Sequence, residues 1–432
     1  MTGERISEFD LMRGIALFGI FLMNVVAMAY PVEAYLNPFA FDSSNWFLTI
    51  EERSVLDWRM DDTVFSILYV FVHQKMFSLF AMLFGVSATM MLDNVHGQRL
   101  RYYFVRNLIL FFFGCLHLMF LFYGDILWVY SLCAMFLWMF VGFSARTILI
   151  SSSILYAFNL WLMFDFQTSI DQFSPEQLIA LQSVWMPEAQ WNNDTVLFIQ
   201  SSENVLSLSM GICISCFADD SSVVAEYFGI FTIVGILQVF SLMLLGMGLY
   251  KLGFLSNVID NGSVRAPRYS QKVYRFIAYI GVFVGVALSG WDLTMNYSHQ
   301  WAAEFAIVKG AILSYIAAPI MMIAYVSLLV LWSQNHFCFR LKGIIQSVGR
   351  MALSNYILQS VIGVGVFTGL GFGYFGEFNR MQLLLLAVIV CIGIAVFSTF
   401  WMKNFYYGPL EWLWRSVSKF QKIKFRKANL TE

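Results

Sequence analysis

Of the 432 residues, 59% are hydrophobic and only 12% charged, whereas a soluble globular chain carries about 25% charged and about 45–50% apolar residues. Water is therefore not the main solvent of this chain, and a formal net charge of -1 lacks the basic excess that nucleic-acid binding requires. The expected partner is a lipid bilayer, with no nucleic acid.

Crossing a hydrocarbon core of about 30 Å takes about 20 apolar helical residues. On that ruler ten spans are predicted, at 11–30, 74–93, 107–123, 126–144, 146–163, 224–249, 275–291, 305–332, 352–373 and 381–402. Ala27-Met28-Ala29 has the form of a signal-cleavage site, but the acidic start (Glu4, Glu8, Asp10) and Arg13 inside the apolar run predict a retained first helix. Basic residues give an independent check on the count, because they concentrate in cytoplasmic loops. Arg99, Arg101 and Arg106 follow the second span, Arg146 the fourth, Lys251, Arg265, Arg268, Lys272 and Arg275 the sixth, and Arg340, Lys342 and Arg350 the eighth. The expected fold is thus an all-α polytopic transmembrane bundle with both termini cytoplasmic. It occupies residues 1–402, with extracytoplasmic loops at 31–62 and 164–223, and ends in a basic amphipathic tail over 403–432.

Six cysteines are scattered along the chain. Cys115, Cys133, Cys338 and Cys391 read as small packing residues, and Cys213 and Cys216 form a CxxC on the second loop that could be free or disulfide-bonded. No metal-ligand spacing accompanies them. The apolar stretch Val205 to Phe217 in the same loop is too short to cross and is read as an interfacial segment or lid.

Polar side chains within a span cost a few kcal/mol each, so their clusters are the default site candidates. Asp10 and Arg13 share a face of the first helix, and Asn24 returns to that face about 16 Å further along, with Leu17 and Phe21 between. The plainer account is a helix cap, a snorkelling arginine and an interhelical amide. His117 precedes Asp125 by eight residues, so a continuous helix would set the carboxylate about 12 Å further out. An imidazole there suits a general base or proton relay; the plainer account is a hydrogen-bonded packing histidine. Asn355 and Gln359 stand four apart in the ninth span after Arg350, among glycines expected to allow close packing. His73 with Lys75, and Lys309 with Glu304, are expected to be interface or snorkelling residues.

Arg5 with FDLMRGIALFGIFLMN (Phe9 to Asn24), HQKMFSLFAMLFG (His73 to Gly85), RNLILFFFGCLHLMFLFYGDIL (Arg106 to Leu127), GRMALSNYILQS (Gly349 to Ser360) and GPLEWLWR (Gly408 to Arg415) resemble the YeiB-like bacterial membrane family from end to end. That resemblance implies a multi-pass protein of the bacterial inner (plasma) membrane. The opening helix is also similar to that of transmembrane acyltransferases such as heparan glucosaminide N-acetyltransferases, which move an acyl group from cytosolic acyl-CoA to an extracytoplasmic hydroxyl or amine. By that likeness Arg13 and Asn24 would line the donor route. Those enzymes carry a histidine in the loop after the first helix, and residues 31–62 have none. The expected function is therefore an acyltransferase in which Arg13, Arg106 and Arg350 hold the phosphates of acyl-CoA, Asn24 orients the thioester, and His117 with Asp125 activates a small-molecule or glycan acceptor. The alternative is a transporter in which Asp10, Arg13, Asn24, Asn355 and Gln359 bind the substrate. A homodimer is compatible with either.

Overall fold

A computed structural model describes residues 7–40, 55–92, 97–186, 222–255, 257–258, 264–265 and 269–427. It is an all-helical bundle in which eight apolar stretches are long enough to cross a membrane by length and composition, and Leu127–Phe140 and Ala352–Phe367 are shorter apolar helices. Each of the ten expected spans falls on one of these. In chain order the helices are α1 (Ser7–Ala29), α2 (Val55–Phe71), α3 (Lys75–Leu92), α4 (Gly97–Phe120), α5 (Leu127–Phe136), α6 (Ala145–Ile170), α7 (Pro175–Trp185) and α8 (Ser222–Lys251). They continue with α9 (Gln271–Ser298), α10 (Ala303–Ala306), α11 (Ile312–Ser333), α12 (Phe339–Arg350), α13 (Ala352–Phe367), α14 (Arg380–Asn404) and α15 (Pro409–Ser418). A two-residue antiparallel pair, Asn257–Val258 with Val264–Arg265, lies between α8 and α9. Cys213, Cys216 and the stretch 205–217 lie outside the described residues.

Four expectations change. The segment read as a loop before residue 63 already contains the start of α2, and Met60–Leu92 is one apolar stretch of 33 residues. The fifth span continues to Ile170, and a capping box at Ser174 and Gln177 then starts α7. The ninth stops at Phe367, where Gly373 and Gly376 take positive φ and turn the chain back. The linker after the eighth span folds into α12, whose Ile345 and Val348 are buried against the bundle. Alternating apolar and basic residues on a helical period drive that docking.

Glycines let the backbones meet. A Cβ on Gly85 of α3 would lie 1.8 Å from the Met243 carbonyl oxygen on α8, and one on Gly246 of α8 would lie 2.1 Å from the Met82 carbonyl oxygen, a reciprocal crossing. Gly14 of α1 and Gly349 of α12 make a second, against the Ile345 and Asp10 carbonyl oxygens. Such small-residue contacts replace the hydrophobic drive that is missing between helices in lipid. At the same end of the bundle as the start of α1, α15 docks onto α4: Trp414 Nε1 donates to the Arg106 carbonyl at 2.7 Å, and the Arg106 guanidinium lies 4.1 Å from the Trp414 ring centre. Glu411 of α15 accepts the free N–H groups of Leu353 and Ser354 at the start of α13, at 2.7 and 3.1 Å.

The bend at 72–74 sits inside the bundle. Val64 and Leu68 of α2 pack with Met23 of α1, Met76 lies against Gly19, and Ser87 reaches Arg13. Thus α2 and α3 together follow α1 from one end to the other, with the break level with the middle of α1.

Candidate functional site

The site is built where α4 stops. The His117 carbonyl accepts the N–H of both Leu121 and Phe122 at 2.9 Å, which closes the helix, and the chain turns through Tyr123-Gly124 into α5. Gly114 permits the tight return, since a Cβ there would lie 2.4 Å from the Trp128 nitrogen. Asp125 takes the N–H groups of Leu127 and Trp128 at 3.0 and 3.2 Å on Oδ2, as a carboxylate at a helix start does. The turn swings its other oxygen back to His117 Nδ1 at 2.8 Å. The pair therefore meets directly, where a continuous helix would have kept the groups apart.

Both side chains are almost fully enclosed, 1% and 0% exposed. Tyr356 of α13 donates its hydroxyl to the same Asp125 oxygen at 3.2 Å, and its ring centre lies 5.1 Å from that of His117. An ionised Asp125 can only accept, so a neutral imidazole carries its proton on Nδ1 and keeps a lone pair on Nε2. Nε2 is buried and has no hydrogen-bond partner among the described residues. Buried polar atoms are nearly always paired, so an orphan in an oriented imidazole marks a place where a proton can be accepted.

Along α1, Arg13 Nη1 donates to Asp10 at 2.9 Å and Nη2 to Ser87 Oγ at 2.8 Å. Arg106 feels the charges of both Arg13 and Arg415, and Arg350 reaches the Tyr406 carbonyl at 3.4 Å and lies near Lys427. These arginines line one end of the bundle. Asn24 is half-buried and makes no hydrogen bond with the described residues. Met28, one turn on, packs against Gly363, and the parallel run of α1 and α13 sets Asn24 level with Gln359. The Gln359 Nε2 is likewise buried and without a hydrogen-bond partner among the described residues. Asn355 instead bonds the Val348 carbonyl and Ser398 Oγ, at 3.1 and 2.9 Å, an interhelical tie. Leu17 and Phe21 are buried with Leu110, Leu127 and Tyr356 in one apolar cluster, so the polar seam of α1 is interrupted by a packed plug between Arg13 and His117.

Two other expectations are corrected. Lys75 does not snorkel: it is fully buried at the start of α3 and donates to the Tyr69 carbonyl at 3.1 Å. Lys309 pairs with Asp171 of the α6–α7 turn at 2.8 Å, and not with Glu304. That bond holds the Asp171 carboxyl below its ordinary range. Tyr356 and Asp292 belong to buried polar groups that the sequence reading passed over.

Comparison with known proteins places the chain. It is 28% identical over 422 residues to the Escherichia coli (strain K12) protein "Uncharacterized protein YeiB", covering 96% of each. With the Bacillus subtilis (strain 168) protein "Uncharacterized protein YxaH" it shares 27% over 428 residues, covering 97% of this chain and 95% of the relative. Residues 258–421 match the family described as "Protein of unknown function (DUF418)". The chain is thus similar to YeiB-like proteins over nearly its whole length. The segment matched by that family holds α9 to α15 and with them Asp292, Asn355, Tyr356, Gln359 and Glu411, while His117 and Asp125 lie before it. No solved structure matches.

Proposed function

We propose that this protein is a membrane-embedded acyltransferase that takes an acyl group from acyl-CoA and passes it to an acceptor at the opposite face of the bilayer. The single observation that carries the reading is the His117–Asp125 pair with its unpartnered Nε2. Asp125 fixes the tautomer, and Tyr356 fixes Asp125. Nε2 takes the proton of an acceptor hydroxyl or amine as that atom attacks the thioester carbonyl carbon. The C–S bond breaks, and the imidazolium returns the proton to the CoA thiolate. Arg13, Arg106 and Arg350 supply charge for the CoA phosphates, and Asn24 and Gln359 offer unspent amide groups to the thioester oxygen. The Leu17–Phe21 plug separates donor and acceptor ends, so transfer requires it to part. The arginine-lined end is the cytoplasmic one, following the bias of basic loops, in a bacterial inner membrane.

A second reading, transport, draws support from the helix break at 72–74. Discontinuous helices at the middle of a bundle, with buried ionisable groups such as Lys75, are how many transporters build binding sites. The two readings separate on ligand binding. Acyl-CoA should raise the melting temperature of the purified protein in a saturable way, and R13A or R106A should weaken the effect. If saturating acetyl-CoA and longer acyl-CoAs leave the melting temperature of the wild-type protein unchanged, the enzyme reading fails.

A further inference from the structure

A second polar locus lies where α9 meets the unwound start of α11, remote in sequence from His117 and independent of the acyltransferase reading. The two helices run antiparallel in a strict register: Gly281 opposes Ala324, Gly285 opposes Met321, Asp292 bonds the Ser314 N–H, and Asn296 meets Gly310. Continuing that register sets Ser289 opposite Ala317. One face of α9 therefore carries Ser289, Asp292 and Asn296, buried at 0%, 1% and 0% exposed, against small residues of α11.

The hydrogen bonds at this seam leave oxygen atoms over. Asp292 Oδ2 accepts from Tyr69 Oη at 3.0 Å and from the Ser314 nitrogen at 3.2 Å. Asn296 spends its Nδ2 on the Gly310 carbonyl. Asn296 Oδ1 and Ser289 Oγ are buried with no hydrogen-bond partner among the described residues, while the Ser314 side chain faces Asp292 and Tyr69. Asn296 Oδ1 sits so close to Gly310 that a Cβ there would lie 1.9 Å from it, which holds the amide in place. Groups of this kind are seldom left unpaired in a folded protein. Two orphan oxygens, one helical turn to either side of a buried carboxylate on the same face of α9, describe a hard-cation site of low charge, since divalent ions usually require several carboxylates.

We propose that Asp292, Asn296 and Ser289 bind a single monovalent cation of the size of sodium. The carboxylate supplies the charge, and the amide and hydroxyl oxygens replace hydration. The Lys75 ammonium acts on Asp292 through space but forms no ion pair with it within 4 Å among the described residues, so it competes with the cation without filling its place.

The test is thermal unfolding and isothermal titration of the full-length protein in detergent, titrated with sodium chloride against potassium and choline chloride at constant ionic strength. Sodium should raise the melting temperature saturably and choline should not. N296A should weaken sodium binding by about tenfold or more, the loss of one charge-directed ligand, D292N should abolish it, and K75Q should strengthen it. If D292N fails to fold, S289A with N296A carries the same comparison. A wild-type protein that responds equally to sodium and choline holds ordered water there, and the proposal is overturned; so is it if sodium stabilises wild-type protein and N296A alike.

Discussion

Replacing Asp125 by asparagine probes the construction of the His117 site directly. The carboxylate accepts four hydrogen bonds, from His117 Nδ1 at 2.8 Å, the Leu127 and Trp128 nitrogens at 3.0 and 3.2 Å, and Tyr356 Oη at 3.2 Å. An amide offers one accepting oxygen; with that oxygen kept toward the Leu127 and Trp128 nitrogens, its NH2 faces His117 and Tyr356, so the imidazole must move its proton to Nε2 and the Tyr356 hydroxyl must turn to accept. Two bonds to a charged acceptor, each worth about 1.5–3 kcal/mol, become neutral bonds worth about 0.5–1.5 kcal/mol each. The expected destabilisation is about 2–3 kcal/mol. Combined with H117Q in a double-mutant cycle followed by urea or thermal unfolding, the pair should show a coupling of about 1.5–3 kcal/mol, because the residues share a bond. Strictly additive effects, or a D125N variant as stable as wild type, would refute the dyad and with it the tautomer assigned to His117.

Further outcomes follow from other parts of the bundle. G85A should lower stability by about 2 kcal/mol or more, since its Cβ would lie 1.8 Å from the Met243 backbone oxygen, which cannot rotate away; equal expression and melting would contradict the α3–α8 crossing. Burial raises the Glu33 carboxyl from 4.5 to about 7, so the folded state holds its proton more tightly and is favoured below about 4.5. Stability from this group should fall as pH rises from about 4.5 through 7, by at most about 3 kcal/mol at about 1.4 kcal/mol per pH unit, and by less in proportion to the side chain's partial exposure. E33Q should flatten that part of the melting-temperature profile, and an unchanged profile would remove the burial argument. K309A, by contrast, breaks a half-exposed pair with Asp171 and should cost less than about 1 kcal/mol, vanishing in high salt.

What could be read from the sequence was the part governed by repetition along one chain. Apolar run length located the long apolar helices, and the three-residue spacing of Asp10 and Arg13 gave their ion pair correctly, because both residues lie within one uninterrupted helix. The His117–Asp125 contact was placed at the wrong distance because its geometry depends on α4 ending at Phe120, and Gly124 alone did not reveal that the return would be so tight. The break between α2 and α3 was hidden for a related reason: His73-Gln74-Lys75 interrupts 33 apolar residues, yet only the positive φ at Gln74 shows that the helix stops there. Asp292 was passed over as a residue just past the end of a span, whereas α9 runs on to Ser298. Tyr356 carries no sequence signal, since a tyrosine in an apolar helix is ordinary until a carboxylate is found opposite it. Contacts between helices, in short, were not legible where the helices themselves were.

The central claim is that His117 moves an acceptor proton during acyl transfer. Purified protein in proteoliposomes, given acetyl-CoA labelled in its acetyl group together with a mixed pool of bacterial envelope glycans and amines, should pass the label to a product no longer attached to CoA. H117A should reduce the rate by about 10²–10⁴-fold while leaving the acetyl-CoA-induced rise in melting temperature intact. Label transferred equally fast by wild type and H117A would contradict the account.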